Sequence, residues 1–134
     1  MTEDISPAAP LVDQDSKFFW EALREDRVVL QVCHECGRHR FPPMPRCPYC
    51  QAAAASAHQI AGAGTIYSWI IAQRAFAPEF AADVPYTVAT VDFDEGVRIA
   101  LRLEDATGID FGRRVSTFIK HHADWSELRV RLEN

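Results

Sequence analysis

A mainly β protein is what this sequence predicts, with one short N-terminal helix, a four-cysteine ribbon and a small barrel of about five strands. Three observations carry that expectation. Two Cys-x-x-Cys pairs stand in the first half, period-two apolar patterning fills the second, and an aromatic-rich helical stretch precedes both. Residues 1–14 read as a polar, flexible arm, 15–56 as helix plus ribbon, and 57–134 as the barrel.

Asp15 or Ser16 is placed to cap a helix that runs to about Glu25. Phe18 and Ala22 lie four apart, as do Phe19 and Leu23, so apolar residues cover a broad face. Phe18, Phe19 and Trp20 in a row exceed what a short surface helix needs. They dock either on this protein's own core or on another chain.

Arg27 to Val32 reads as a strand feeding the first cysteine pair. The pattern is Cys33-x-x-Cys36, ten intervening residues, then Cys47-x-x-Cys50. Each pair is a tight knuckle whose backbone turns two sulfurs toward one point. Gly37 follows the first knuckle, where a left-handed backbone is useful, and Pro48 pre-sets the turn of the second. Four sulfurs make a closed tetrahedral shell with no open position for substrate or water. Zinc is the expected ion, as a structural staple for a segment too short to build its own core. Iron in a rubredoxin-like electron-transfer site is the alternative, because four sulfurs suit it too. His34 and His39 read as surface residues. Pro42, Pro43 and Pro45 keep the link between knuckles extended. Residues 51–57 read as an Ala-rich connector with a weak helical leaning.

From His58 onward the pattern turns to β. Thr65 to Ile71 is rich in β-branched and aromatic residues after Gly62 and Gly64. Tyr86 to Phe93 and Val97 to Leu103 alternate, and Asp94-Glu95-Gly96 joins them as a three-residue hairpin loop. That register sets Phe93 opposite Val97 and Asp92 opposite Arg98. Val115 to Ile119 and Leu128 to Val130 complete the set, and residues 104–112 are too few for a substantial helix. Strands this short suggest a closed barrel, though the periodicity also permits a small sandwich.

Composition narrows the function. The 134 residues are 48% hydrophobic and carry a formal charge of -5, with Lys17 and Lys120 the only lysines. That balance argues against a general grip on nucleic-acid backbones. No stretch approaches the ~20 apolar residues of a membrane span. The N-terminus lacks a signal-peptide pattern, so a cytoplasmic, reducing location is expected, where paired cysteines serve as metal ligands. With all four cysteines so committed, no thiol nucleophile is left. No phosphate-cradling loop, dinucleotide fingerprint or nucleophile elbow occurs. His121 and His122 beside Asp124 read as solvated loop residues. The chain alone is not expected to be an enzyme.

Taken together, these segments resemble the thiolase-associated family of small proteins that combine a rubredoxin-like zinc ribbon with a C-terminal OB-fold. The resemblance covers about residues 16–120. It rests on Phe19-Trp20-Glu21-Ala22-Leu23, on Cys33-His34-Glu35-Cys36-Gly37, and on Phe41-Pro42-Pro43 leading to Cys47-Pro48-Tyr49-Cys50. In the barrel it rests on Gly62 to Trp69, Val84-Pro85-Tyr86, Val91 to Gly96 and Gly112-Arg113-Arg114-Val115. Gln51 stands where the family often has a small residue, Asp26 where Gly often ends the helix, and the tail from His121 to Asn134 departs from the pattern.

The resemblance implies an OB-like barrel and a non-catalytic subunit of a thiolase, a sterol-carrier-type aldolase or an acyltransferase. The substrate would be an acyl-CoA thioester, in steroid or lipid side-chain degradation, and the partner a thiolase-like protein in a hetero-oligomer. Two segments are candidates for contact with partner or acyl-CoA: Phe18, Phe19 and Trp20 on the helix, and Arg74, Phe76, Phe80 and Tyr86 on and beside the apolar loop 74–84. Two other readings stay open. Tyr67, Trp69 and Tyr86 could stack bases in a nucleic-acid-binding module, and the ribbon could carry electrons.

Overall fold

The computed structural model describes residues 9–134, so most of the expected N-terminal arm, residues 1–8, lies outside the described residues. Helix α1 spans Lys17–Arg24. Ser16 is its N-cap residue, but its side chain donates nothing to the helix and accepts none of its N–H groups. Ser16 instead exchanges hydrogen bonds with Asp13, whose Oδ1 accepts from the Ser16 N–H at 2.8 Å. At the other end the Asp26 N–H bonds the Leu23 carbonyl and the Arg27 N–H reaches back to Ala22. This is the paired C-terminal closure that needs a left-handed residue, and Asp26 supplies it with φ of 62°. Asp26 therefore does the backbone work of the glycine it replaces.

Three strands make the ribbon sheet: β1 (Val29–Cys33), β2 (His39–Arg40) and β3 (Ala55–Gln59), in the order β2-β1-β3. The Ala-rich segment departs from expectation here. Its second half is strand, antiparallel to β1, with Cys33 opposite Ala55 and Leu30 opposite His58. β3 has no buried residue, so no apolar alternation marks it; its conformation comes from the backbone groups of β1. The ribbon sheet thus ends at Gln59.

Five further strands close a barrel: β4 (Ala63–Ala72), β5 (Tyr86–Phe93), β6 (Arg98–Leu103), β7 (Arg114–His121) and β8 (Ser126–Leu132), in the order β4-β5-β6-β8-β7. Neighbours are antiparallel except β6 and β8, which meet at Leu103 and Val130 in parallel. Closure excludes the sandwich. β4 is long enough to pair β5 along most of its length and β7 through Ala63, Gly64 and Thr65. It passes so close to β5 that a Cβ on Gly64 would overlap the Asp92 carbonyl. The β5–β6 hairpin has the expected register, with Asp92 opposite Arg98 and an Arg98 Nε to Asp92 Oδ1 bond of 2.6 Å. Residues 104–112 form turns without a helix.

Phe19, Leu23, Val28, Leu30 and Ile60 bury into the same apolar cluster as Ile66, Val91, Ile99, Val115 and Val130. Helix and ribbon base are therefore packed against the barrel wall. No helix among the described residues is long and apolar enough to cross a membrane.

Candidate metal centre and outer-wall cavity

The two knuckles are built alike. In the first, the Cys33 N–H bonds the Arg38 carbonyl and the Gly37 N–H bonds the Cys33 carbonyl. In the second, Cys47 bonds Ala52 and Gln51 bonds Cys47 at the same offsets. The residue after each second cysteine is left-handed: Gly37 at φ 75° and Gln51 at 69°. Gln51 occupies a conformation that L side chains disfavour, held there by the knuckle's own hydrogen bonds.

The four Sγ atoms all lie within 4.8 Å of one another. Cys33 and Cys50 are 3.5 Å apart, and Cys36 and Cys47 3.6 Å. A disulfide would need about 2.05 Å. A tetrahedron of sulfurs at about 2.3 Å from a metal has edges of about 3.8 Å, so the cluster fits a four-thiolate ion. Cys33 and Cys47 are buried, while Cys36 and Cys50 face outward. Backbone N–H groups of Cys36 and Glu35 hold the Cys33 thiol below its usual range against burial. At Cys47 burial pushes upward, but the N–H groups of Cys50 and Tyr49 and the neighbouring sulfurs outweigh it, leaving the thiol at about 6. At Cys50 the Ala52 N–H favours the thiolate, yet burial and the other sulfurs push it to about 12. Four sulfurs crowded together cannot all ionise without a cation between them. His34 and His39 stay outside the cluster, with His34 Nε2 on Ser56 Oγ.

The candidate contact residues fall in different places. Phe19 is 3% exposed and packs edge-on against Trp20 and Phe41, so it belongs to the protein's own core and is corrected as a contact residue. Phe18 and Trp20 are half-buried on that core. Arg74 is exposed, and Phe76 is 81% exposed, with the ring in solvent. Phe80 closes a single 3-10 turn, Pro78–Phe80, and leans on Tyr86 with ring centroids 6.1 Å apart. The barrel aromatics each carry a neighbour on one face: Arg98 lies 3.5 Å over Tyr67, Arg102 4.5 Å over Tyr86, and Phe111 4.9 Å from Trp69.

The β7–β8 hairpin holds what sequence reasoning missed. His121 and His122 are not free in solvent. His121 bonds Ser126 Oγ through Nδ1 at 2.6 Å and Asp26 Oδ1 through Nε2 at 2.7 Å. His122 stacks on Trp125 at 4.6 Å and bonds Glu127 Oε1 at 2.9 Å, and Arg129 Nη2 donates to the same oxygen at 3.0 Å. The alternation of Leu128 and Val130 marks the strand; nothing in it marks Glu127 and Arg129 as facing His122 across the turn. His122, Trp125, Glu127 and Arg129, with Phe80, Asp83, Tyr86 and Arg102, line a cavity of about 270 Å³ on the outer wall of the barrel. Trp125 also meets Trp20 at 6.1 Å, so the helix packs against a residue that lines the cavity.

Residues 57–117 match a family model described as the ChsH2 C-terminal OB-fold domain, and residues 20–54 one described as the ChsH2 rubredoxin-like zinc ribbon domain. The chain is 37% identical over 94 residues to a probable enoyl-CoA hydratase alpha subunit of Thermomonospora curvata, covering 70% of this chain and 29% of that protein. It is 27% identical over 129 residues to the 3-oxo-4,17-pregnadiene-20-carboxyl-CoA hydratase alpha subunit of Mycobacterium tuberculosis, covering 92% and 40% respectively. A DUF35 domain-containing scaffold protein of Methanocaldococcus jannaschii is 27% identical over 88 residues, 64% of this chain and 62% of that one. The chain therefore spans well under half the length of the two hydratase subunits. Among solved structures, a chain of the Ltp2-ChsH2(DUF35) aldolase superimposes with a TM-score of 0.80 at 31% identity, over 92% of this chain and 98% of that one.

Proposed function

Because this chain belongs to the DUF35 family, which joins a ChsH2-type zinc ribbon to a ChsH2-type OB-fold, we propose that it is a non-catalytic accessory subunit of a thiolase-like enzyme acting on an acyl-CoA thioester. The observation that carries this reading is the convergence of all four cysteines on one sulfur cluster, which leaves the chain no thiol nucleophile. Thiolase chemistry needs such a nucleophile, so the partner supplies it, and this chain supplies shape and positioning. Similarity over nearly the whole chain to a component of an aldolase assembly supports that division of labour. The hydratase naming belongs to proteins more than twice as long, so hydration is not the activity proposed for this chain. A steroid or lipid side chain is the acyl group we favour, on the strength of the pregnadiene-carboxyl-CoA relative.

The ion is zinc, held by Cys33, Cys36, Cys47 and Cys50, and its role is to fix the ribbon. Docking to the partner involves the exposed Phe76 and the half-buried Phe18, Trp20, Phe80 and Tyr86, with Arg74 beside them. Co-expression with a thiolase-like protein encoded nearby, followed by size-exclusion chromatography and an acyl-CoA cleavage or condensation assay, tests the proposal. Wild type should co-elute and support turnover, and Phe76→Asp should weaken co-elution. A partner that is soluble and fully active without this chain would sink the proposal.

A further inference from the structure

Strand β4 has a strand on only one side for most of its length. It pairs β7 through Ala63, Gly64 and Thr65, and Ile66 exchanges backbone bonds with Gly112 and Arg113. From Ser68 to Ala72 it pairs β5, and among the described residues no strand lies on its other side. Successive strand residues point to opposite faces, and here two in a row stand in solvent: Ile70 is 60% exposed and Ile71 54%. A flat surface docked on the sheet would cover one of them. A strand laid along the open edge reaches both. Trp69 and the exposed Phe111, whose rings lie 4.9 Å apart, extend the patch. Sheet edges left open in folded proteins usually carry charge or proline against unwanted pairing. Residues 66–73 carry neither, and the bulge between Ile66 and Ser68 guards only the start of the open stretch.

We propose that the open edge of β4 pairs antiparallel with the same edge of a second copy of this chain, giving a reversible two-fold dimer. The copy brings the β-branched, charge-free strand that this edge fits. A chain of net charge -5 meets itself there with no like charges inside the paired stretch. Taking about 200 Å² for a large side chain, the exposed parts of Tyr67, Ile70, Ile71 and Phe111 come to roughly 500 Å² per copy. About 1,000 Å² for the pair is the scale of a weak, transient interface. The dimer needs no partner enzyme, so its test is independent of the docking reading. Sedimentation velocity of the zinc-loaded full chain, from about 10 μM to about 1 mM, reads it. A monomer–dimer equilibrium with a dissociation constant on the order of 100 μM is expected. Backbone amides of residues 68–72 should exchange with deuterium more slowly in concentrated than in dilute solution. Ile70→Lys sets like charges on the two edges and should weaken dimerisation about tenfold or more. Leu11→Lys, at an exposed position on the N-terminal segment, should leave it unchanged. Should Ile70→Lys lose zinc or strand content, Ile71→Thr keeps the β-branch and should weaken dimerisation several-fold. A chain that stays monomeric at about 1 mM overturns the proposal and leaves the edge to a strand of another protein. Dimers that a folded Ile70→Lys leaves intact, or whose 68–72 amides exchange as in the monomer, overturn it too.

Discussion

The tip of the ribbon and the barrel are stabilised by different means within one chain. Between Cys33 and Ala54 the buried residues are the two cysteines and Arg40, whose Nε bonds Gln31 Oε1. The barrel buries a layered core from all five strands, with Val91, Val115 and Val130 fully enclosed. A metal can replace a core where the chain is too short to enclose one, because four bonds fix the loops that apolar contact cannot. The ribbon base, with Val28, Leu30 and Ile60, joins the two systems.

Breaking that comparison starts at the sulfur cluster. Chelation of the ion removes a binding free energy of about 10–16 kcal/mol for a structural zinc, and Cys47→Ala, by deleting one of the four ligands, removes part of it. Zinc content should fall, and amide signals of residues 33–54 should collapse while those of β4–β8 persist. Loss of both sets together would mean the tip and barrel are one cooperative unit. Ile99→Ala, at a position 4% exposed, should cost about 2–5 kcal/mol in urea denaturation and leave zinc stoichiometry intact. Gly64→Ala forces β4 away from the Asp92 carbonyl and should cost about 1–3 kcal/mol by the same measurement. Gln51→Gly relieves a left-handed residue and should stabilise the second knuckle by about 1 kcal/mol, read as slower zinc loss to a chelator.

The smallest effect is in pH. Burial raises the Glu127 carboxyl, but bonds from Arg129 and His122 outweigh it and hold the carboxyl below its ordinary 4.5. A depressed folded value means its contribution is present above 4.5 and lost as pH falls through the folded value. Glu127→Gln should flatten the acid limb of the stability curve in that window and leave the region above pH 6 unchanged in slope.

The two regions also differ in how far the sequence exposes them. Metal ligands are named by residue type and spacing, so the four cysteines could be read directly, and the Asp92–Arg98 hairpin pair followed from one loop length. β3 could not be read, because a strand with no buried residue carries no apolar signal. The cavity was hidden for another reason. Arg102, His122 and Arg129 come from separate elements, and only the pairing of β6 with β8 brings them to one face of the barrel wall. Phe19 shows the opposite error: an aromatic run reads the same whether its rings face inward or outward, and here one faces inward.

Arg24 has a consequence for the order in which the protein can be made. Its Nη1 bonds the carbonyls of His122 and Trp125 at 2.9 and 3.0 Å and Ser126 Oγ at 3.2 Å, across 98 to 102 residues of chain. The helix thus leaves a ribosome 98 to 102 residues ahead of its seat. The ribbon's sulfur ligands are all close in sequence and can gather an ion during synthesis. Helix α1 can pack Phe19 on Phe41 early, but its seat on the barrel must wait until the hairpin of β7 and β8 has emerged. Until then the barrel-facing side of the helix lacks its partner, and the wait ends when the hairpin receives the Arg24 guanidinium.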